Sequence, residues 1–489
     1  MALGNLERVI NIIRDDMKNP PNPPSDLYNE RWLKQFENMI RNFQNGRCSR
    51  ELVIIGGPRR TGKSTILQSI LSHFNQNACY LDVERSEVQN ALKGSSLTDL
   101  VLEINRKLER NIILLDEITS LKEGWEFKVK ELWDYIEQRE KLFIIVAGSI
   151  GVLIKKGSSL LSARRGFCST RLNGSAHLKN PAVILPAKFG AFIANEIFDY
   201  DMLPLKSEER VADLIGLSTG DEKITDRYNG LDPQLTDMLN GDLARYLEMG
   251  GYPQLRDAAG EKKALRREIF DSLIKDITYY DPGMEIGTQF LNALRSVAKK
   301  AVMLNTDDLK EKFRTLLGAS KTKFNENLFY KAKEYFTDSY TLTRLTNDAS
   351  YKFSHLEKLC INDPTIFWGL YEKDLDMEDQ DKLSTAEGLL FEHLVGSHLR
   401  RLDPDSSLSF YSDGKQDVDY IMKLKGRTFF IQAAKGASEA YNDLETAKSV
   451  SDKLGLEKSY NVSLIMNAEK ISKTKKGTVI PASLFLALI

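Results

Sequence analysis

The chain has 489 residues, room for two to four domains at about 100–200 residues each. Apolar residues make up 42% and charged residues 28%, which excludes wholesale disorder. A net charge of -1 and a pI near 6.6 exclude a molecule that holds nucleic acid by its overall charge, so any basic surface is local.

The first stretch, MALGNLERVINIIRDDMKN, has acids where a signal peptide needs bases and no long apolar core. The longest apolar run, FIIVAGSIGVLI, falls short of the roughly 20 residues a membrane span needs. Four scattered cysteines with no CxxC pair exclude a zinc ribbon and fit a reducing compartment. A soluble, cytoplasmic protein with no membrane partner is expected. Residues 1–27 read as an N-terminal helix and a linker, because KNPPNPPSD cannot continue a helix. From Tyr28, YNERWLKQFENMIRNF sets Trp32, Phe36, Ile40 and Phe43 on one helical face. Strands ELVII, CYLDV, NIILLDE and LFIIVAG then alternate with helices KSTILQSILSHF, SLTDLVLEINRKL and KVKELWDYIEQ. That rhythm predicts an α/β domain over residues 28–195, a parallel sheet with helices on both faces.

Residues 196–299 turn mainly helical. Over residues 300–375, NTDDLKEKF and SKTKFNENLFYKAKEYF read as two helices and TLTRLTNDASYKF as a β-hairpin, the element order of a winged helix. Residues 376–489 open with the helix AEGLLFEHLVGSHLRRL. Short strands LSFYS, VDYIMKL and TFFIQAA follow, then a helix and NVSLIM, so an α/β or α+β end domain is expected. No internal repeat is present.

Gly57-Pro58-Arg59-Arg60-Thr61-Gly62-Lys63-Ser64 fits GxxxxGK[ST], and Thr65 continues it into a helix. Context separates it from a plain turn with a surface lysine. An apolar strand precedes the loop, and an amphipathic helix follows. Glycines let the backbone N–H groups turn toward phosphate oxygens, and the helix N-terminus adds partial positive charge. Lys63 then reaches the β- and γ-phosphates of ATP, and the Ser64 hydroxyl serves Mg²⁺. The strand NIILLDE ends in Asp116-Glu117, which places Asp116 to support Mg²⁺ and Glu117 to polarise the attacking water. Their rival role is to cap the next helix. LFIIVAG runs into Gly148-Ser149, and Ser149 has two open readings: it orients water or the γ-phosphate, or it is a helix N-cap. Arg164, Arg165 and Arg171 are the candidates for positive charge against the transferring phosphoryl group, one of them reaching a neighbouring subunit's nucleotide. For each, a solvated loop is the alternative.

In order along the chain, these motifs resemble the prokaryotic, especially archaeal, AAA+ P-loop ATPases with a C-terminal domain of unknown function. The likeness runs from about Arg31 to the C-terminus. IIGGPRRTGKST is similar to that family's phosphate loop, and LLDEITSLKEGWEFKVKELWD to its Walker B strand with the following tryptophan. VAGSIGVLI resembles its TGS strand, with Ala147 in place of threonine. VILPAKFGAFI resembles a segment whose acid is replaced by Ala191. YLEMGGYPQL, with Gly250 to Pro253, DSLIKDI and AEGLLFEHLV complete the order. The resemblance implies an AAA+ ATPase that works as a ring or a smaller homo-oligomer. It also implies a helical lid and a winged helix, and an end domain similar to the PD-(D/E)XK nuclease fold. Such nucleases place an acid on one strand and E-x-K on the next. Here Asp419 stands on the first, Gln432 replaces the acid on the second, Lys435 lies one residue beyond the usual spacing, and Glu392 adds an acid from the preceding helix. A glutamine amide is a poor Mg²⁺ ligand, so a degenerate domain is expected rather than a working nuclease.

DNA contact through the winged helix falls to Lys321 and Lys323, with Lys331 and Lys333 further along the same helix. Lys470, Lys473, Lys475 and Lys476 add a basic loop near the C-terminus. Gly250-Gly251-Tyr252-Pro253 reads as a structural turn. His393 and His398, five apart on a helix, are a poor pair for one metal, and no transition-metal site is expected. MgATP turnover coupled to DNA binding or remodelling is the first functional expectation. Its alternatives are a nucleotide-gated protein-interaction switch and an ATP-dependent DNA nuclease.

Overall fold

A computed structural model describes residues 2–18, 30–48, 50–121, 124–136, 141–149, 153–154, 161, 182–187, 189, 233–256, 261–280, 286–297, 303–319, 324–349, 356–371, 380–402, 407–424, 426–456, 458–466 and 468–488. Arg164, Arg165, Arg171, Lys321 and Lys323 lie outside the described residues. The chain forms two compact units. The first is Met1–Leu185 with Lys275–Pro282 and Asp338–Tyr340; the second is Pro186–Ile274, Gly283–Thr337 and Thr341–Ile489. No described helix is long and apolar enough to cross a membrane. Cys79 and Cys360 are buried free thiols.

The first unit is built on five parallel strands: β1 (Arg50–Gly56), β2 (Ala78–Asp82), β3 (Ile112–Asp116), β4 (Leu142–Gly148) and β5 (Ala182–Val183). Their spatial order is β2-β3-β4-β1-β5, so β4 lies between β1 and β3. β3 and β4 are buried along their whole length, which is why they read as unbroken apolar runs rather than alternating ones. Val53, Ile55, Leu114 and Ile145 share one core with Phe36, Ile40 and Phe43 of α2 (Glu30–Gln44) and with Ile66, Leu67 and Ile70 of α3 (Lys63–His73); Trp32 packs against its edge. Leu52, Ile54, Ile113, Leu115, Ile144 and Val146 point to the other face and are equally buried. Helix Leu97–Leu108 starts at a capping box made by Ser96 and Asp99. α1 (Ala2–Lys18) ties into this unit through Asp16 to Arg85 and Glu7 to Lys107.

The second unit begins with helical segments Pro233–Met249 and Ile286–Val297. Helices Thr306–Ala319 and Glu326–Asp338 follow. Phe290 sits against Phe313, Phe329 and Phe336, with ring centroids 5.9, 5.7 and 5.5 Å away, which locks three of these helices around one aromatic core. β7 (Leu342–Thr346) pairs antiparallel with β8 (Leu356–Ile361), and β6 (Met303–Asn305) closes the other edge of β8. The SYKF end of the expected hairpin, within residues 350–355, lies outside the described residues. It is the apolar LEKLCI that the sheet buries.

Beyond helix Gln380–Leu402 lies a six-stranded mixed sheet in the order β13-β14-β12-β11-β10-β9. Its strands are β9 (Ser407–Ser412), β10 (Asp417–Leu424), β11 (Arg427–Ala434), β12 (Ser459–Ile465), β13 (Ser472–Lys473) and β14 (Thr478–Pro481). β9, β10 and β11 run antiparallel, and β11, β12 and β14 parallel. Ala440, Leu444, Ala447 and Val450 of helix Ala437–Leu454 pack on it. The Gly250 turn has φ +77°, and a Cβ there would fall 2.3 Å from both Asp363 Oδ1 and Thr365 Oγ1. Gly251 N–H donates to Asp363 Oδ2 at 2.9 Å, so Gly250-Gly251 is built into backbone packing.

Candidate functional site

In the first unit, Gly56 of β1 is level with Gly148 of β4, and Leu115 of β3 with Val146 of β4. The loops that follow these strands thus leave the sheet side by side, at its carboxyl edge, where open α/β sheets hold ligands. The Gly57–Gly62 loop leaves β1 and feeds α3 at Lys63. Gly57 has φ +146°, and a Cβ on it would lie 1.9 Å from the Ile184 carbonyl oxygen; only glycine lets the loop pass. Thr61 Oγ1 donates to the Pro58 carbonyl at 2.9 Å. Lys63 is buried, and its Nζ donates to the carbonyls of Gly57 (2.9 Å) and Pro58 (2.7 Å). Burial lowers its pKa, while Glu117 and Asp116 pull the other way. Arg60 is part-buried at φ 63°, and Thr65 is part-buried in the first turn of α3.

Ser64 lies close enough to Asp116 to lower its carboxyl pKa, and Tyr80 of β2 donates to Asp116 Oδ2 at 2.7 Å. Asp116 is 4% exposed, and burial raises its pKa. Glu117 turns out of β3 through a left-handed backbone, φ 49°, a conformation that costs a non-glycine residue about 1–2 kcal/mol. Its Oε1 accepts from Thr119 Oγ1 (2.5 Å), Ser149 Oγ (2.8 Å) and Ser149 N–H (3.2 Å). Ser149 thus spends its side chain and its amide on Glu117. Arg59, part-buried, pairs through Nε with Asp276 Oδ1 at 2.5 Å. Asp276 is 4% exposed, and burial lifts its pKa to about 6 despite the guanidinium.

The loop offers backbone donors and an ammonium; the strand ends offer a hydroxyl, a carboxylate and a second, clamped carboxylate. Ser64 and Asp116 are hard oxygen donors close to one another, a set that fits Mg²⁺. Sequence reading misses Tyr80, Thr119 and Asp276. Thr119 sits two residues past Glu117, so spacing along the chain could point to it; Tyr80 needs the strand order, and Asp276 needs the tertiary fold.

Residues 49–171 match the family described as AAA domain. Over 379 residues the chain is 23% identical to the uncharacterized protein MJ1544 of Methanocaldococcus jannaschii, covering 76% of this chain and 72% of that protein. Among solved structures, it is similar to the Walker-type ATPase paby2304 of Pyrococcus abyssi, with a TM-score of 0.39, 15% identity, and 72% of this chain and 98% of that one covered. The ORC2 protein of Aeropyrum pernix, in ADPNP and ADP complexes, gives a TM-score of 0.36, 12% identity, and coverage of 77% and 97%.

Away from residues 49–171, the second unit brings Glu392 and Asp419 together around a residue that sequence reading does not single out. Lys358 of β8, 2% exposed, places Nζ 2.5 Å from Glu392 Oε1, 3.2 Å from Asp419 Oδ1 and 3.0 Å from the Asp419 carbonyl. It also lies 4.3 Å over the Tyr420 ring. Burial opposes the ammonium, but the two carboxylates outweigh it and raise its pKa. Burial lifts the Glu392 carboxyl to about 7, against the pull of Lys358. Gln432 is turned inward: its Oε1 accepts the Asp419 N–H (2.8 Å) and its Nε2 donates to the Asp417 carbonyl (3.1 Å), clipping the irregular stretch of β10. Lys435 bonds Ser384 and does not join the cluster around Lys358. His393 Nδ1 and His398 Nε2 accept the backbone amides of Ile361 and Phe189, both at 3.0 Å.

On helix Glu326–Asp338, Lys333 is buried and bound to Glu357 at 2.9 Å, which corrects its reading as an outward base. The exposed positions there are Glu326, Asn327, Tyr330, Lys331 and Glu334.

Proposed function

We propose that the chain is an ATPase whose AAA domain binds MgATP at Gly57–Thr65 with Asp116 and hydrolyses it with Glu117 as the base. The observation that carries this is Asp116, bonded by Tyr80 and near Ser64, next to a glutamate clamped by Ser149, at the mouth of a loop whose Gly57 admits no side chain. The loop amides and Lys63 take the phosphate oxygens, Lys63 exchanging the carbonyls of Gly57 and Pro58 for them. When bound, Mg²⁺ supplies charge neutralisation on the β- and γ-phosphates, and Ser64 and Asp116 are its holders. Thr119 and Ser149 fix Glu117 through Oε1, which leaves Oε2 to accept a proton from water. The water oxygen bonds to the γ-phosphorus as the bond to the bridging oxygen breaks, giving ADP and phosphate. Arg164, Arg165 or Arg171 of a second copy supplies the positive charge at that phosphoryl group, which makes a homo-oligomer the working form.

We read the coupled target as DNA, held by Lys321 and Lys323 and by the exposed Lys470, Lys473, Lys475 and Lys476. The helix pair and hairpin over residues 300–375 support a winged helix by their order. The second reading, a protein partner gated by nucleotide, is favoured by one observation: the exposed face of helix Glu326–Asp338 carries Glu326, Glu334 and Tyr330 against a single Lys331. ATP hydrolysis followed with and without duplex DNA at low salt separates the two. A rate raised by DNA supports the first, and a slow rate indifferent to DNA supports the second. For residues 376–489 we infer a nuclease-like sheet that does not cleave, since Lys358 stands as counter-ion between Glu392 and Asp419. Nicking of plasmid DNA in Mg²⁺ or Mn²⁺ overturns that inference.

A further inference from the structure

The Gly57–Thr65 loop carries cations and is met by an anion from elsewhere in the chain. Asp276 arrives from helix Lys262–Tyr280, 217 residues after Arg59, and its Oδ1 lies 2.5 Å from Arg59 Nε. It also feels the charges of Lys63 and Glu117. A nearly dry carboxylate among the loop's cations opposes a polyphosphate, because like charges repel strongly where water is scarce. Yet Arg59 is part-exposed, its side chain 32% accessible, so its guanidinium has room to turn.

Resting on the ATPase reading above, we propose that Asp276 and the phosphates of the bound nucleotide compete for the guanidinium of Arg59. In the resting loop Asp276 is the counter-ion. On binding, Arg59 swings to phosphate oxygen, for which its planar fork is well matched. Asp276 then faces Glu117 and the phosphates without its partner and is pushed away. The helix that carries it begins at Lys262, in the second unit, so it is a length of chain through which nucleotide occupancy is felt beyond the AAA domain. Asp276 is thus a positioning residue that sets affinity and reports occupancy.

The test is equilibrium binding of MgATP to the full chain and to Asp276→Asn, Arg59→Ala and the double variant, measured by calorimetry. Asp276→Asn removes the competitor and is expected to tighten binding by about tenfold, the effect of one charge-assisted bond. In the Arg59→Ala background the same change is expected to give a smaller gain, that of the relieved repulsion alone, and an equal gain in both backgrounds overturns the competition. If Asp276 only anchors Arg59 in a productive pose, Asp276→Asn weakens binding as Arg59→Ala does, and the proposal falls. Hydrogen exchange of the unaltered protein gives a second readout independent of the variants. MgATP is expected to speed exchange in the turn around Asp276, and unchanged or slowed exchange there counts against competition. Absence of MgATP binding to the unaltered chain defeats the ATPase reading itself; binding without the Asp276 effects defeats only this inference.

Discussion

Glu117 is held by one of its two oxygens. Three donors converge on Oε1, so rotation of the carboxylate is blocked and Oε2 keeps a fixed aim. Glu117→Gln is expected to leave MgATP binding intact and slow turnover by about 100-fold or more, checked by single-turnover hydrolysis beside a binding isotherm. Unchanged turnover would remove Glu117 as the base. Ser149→Ala deletes the Oγ bond but spares the amide, and a milder loss of about tenfold in kcat with unaltered affinity is expected. At this scale the sequence is informative where a role depends on neighbours along the chain. Lys63, Ser64, Asp116 and Glu117 are legible because spacing and an apolar lead-in strand identify them. Tyr80, Asp276 and Lys358 are not, because each acts on a residue brought near only by the fold. Lys358 leaves one trace, a charged residue inside the otherwise apolar LEKLCI.

Elements that bury both faces are the easiest to read. β1, β3 and β4 are unbroken apolar runs, and their helices show the helical period. Helix Pro364–Tyr371 escapes sequence reading because it is buried all round and so has no amphipathic period to detect. Packing of helix Gln380–Leu402 against β8 and β10 gives the second unit a pH signature. Glu392 titrates near 7 there, above the ordinary value for a glutamate, so the folded form takes up a proton that the unfolded form releases. The contribution is complete below the usual glutamate pKa and is lost as pH rises through about 7. Asp443, lifted to about 7 by burial and by Asp419, acts in the same direction. The thermal midpoint of the second unit is expected to fall between pH 6 and pH 8, and Glu392→Gln to flatten that slope. A midpoint that rises over this range refutes the assignment.

For the whole molecule, net charge gives little guidance, since -1 overall is compatible with a DNA-bound or a protein-bound partner. The DNA reading rests on Lys321 and Lys323 and on the C-terminal basic loop, because Lys333 is tied to Glu357 inside the fold. Replacing Lys321 and Lys323 together with alanine is expected to lessen the slope of log affinity for duplex DNA against log salt, by about one for each phosphate these lysines neutralise. A slope left unchanged clears that segment of phosphate binding and moves weight to the protein-partner reading. Everything downstream depends on a triphosphate settling on the Gly57–Thr65 loop beside Asp116. Calorimetric titration of MgATP into the full chain and into Lys63→Ala decides it. Saturable uptake of one triphosphate per chain, abolished by Lys63→Ala, is expected; no uptake, or the same uptake by both proteins, contradicts it.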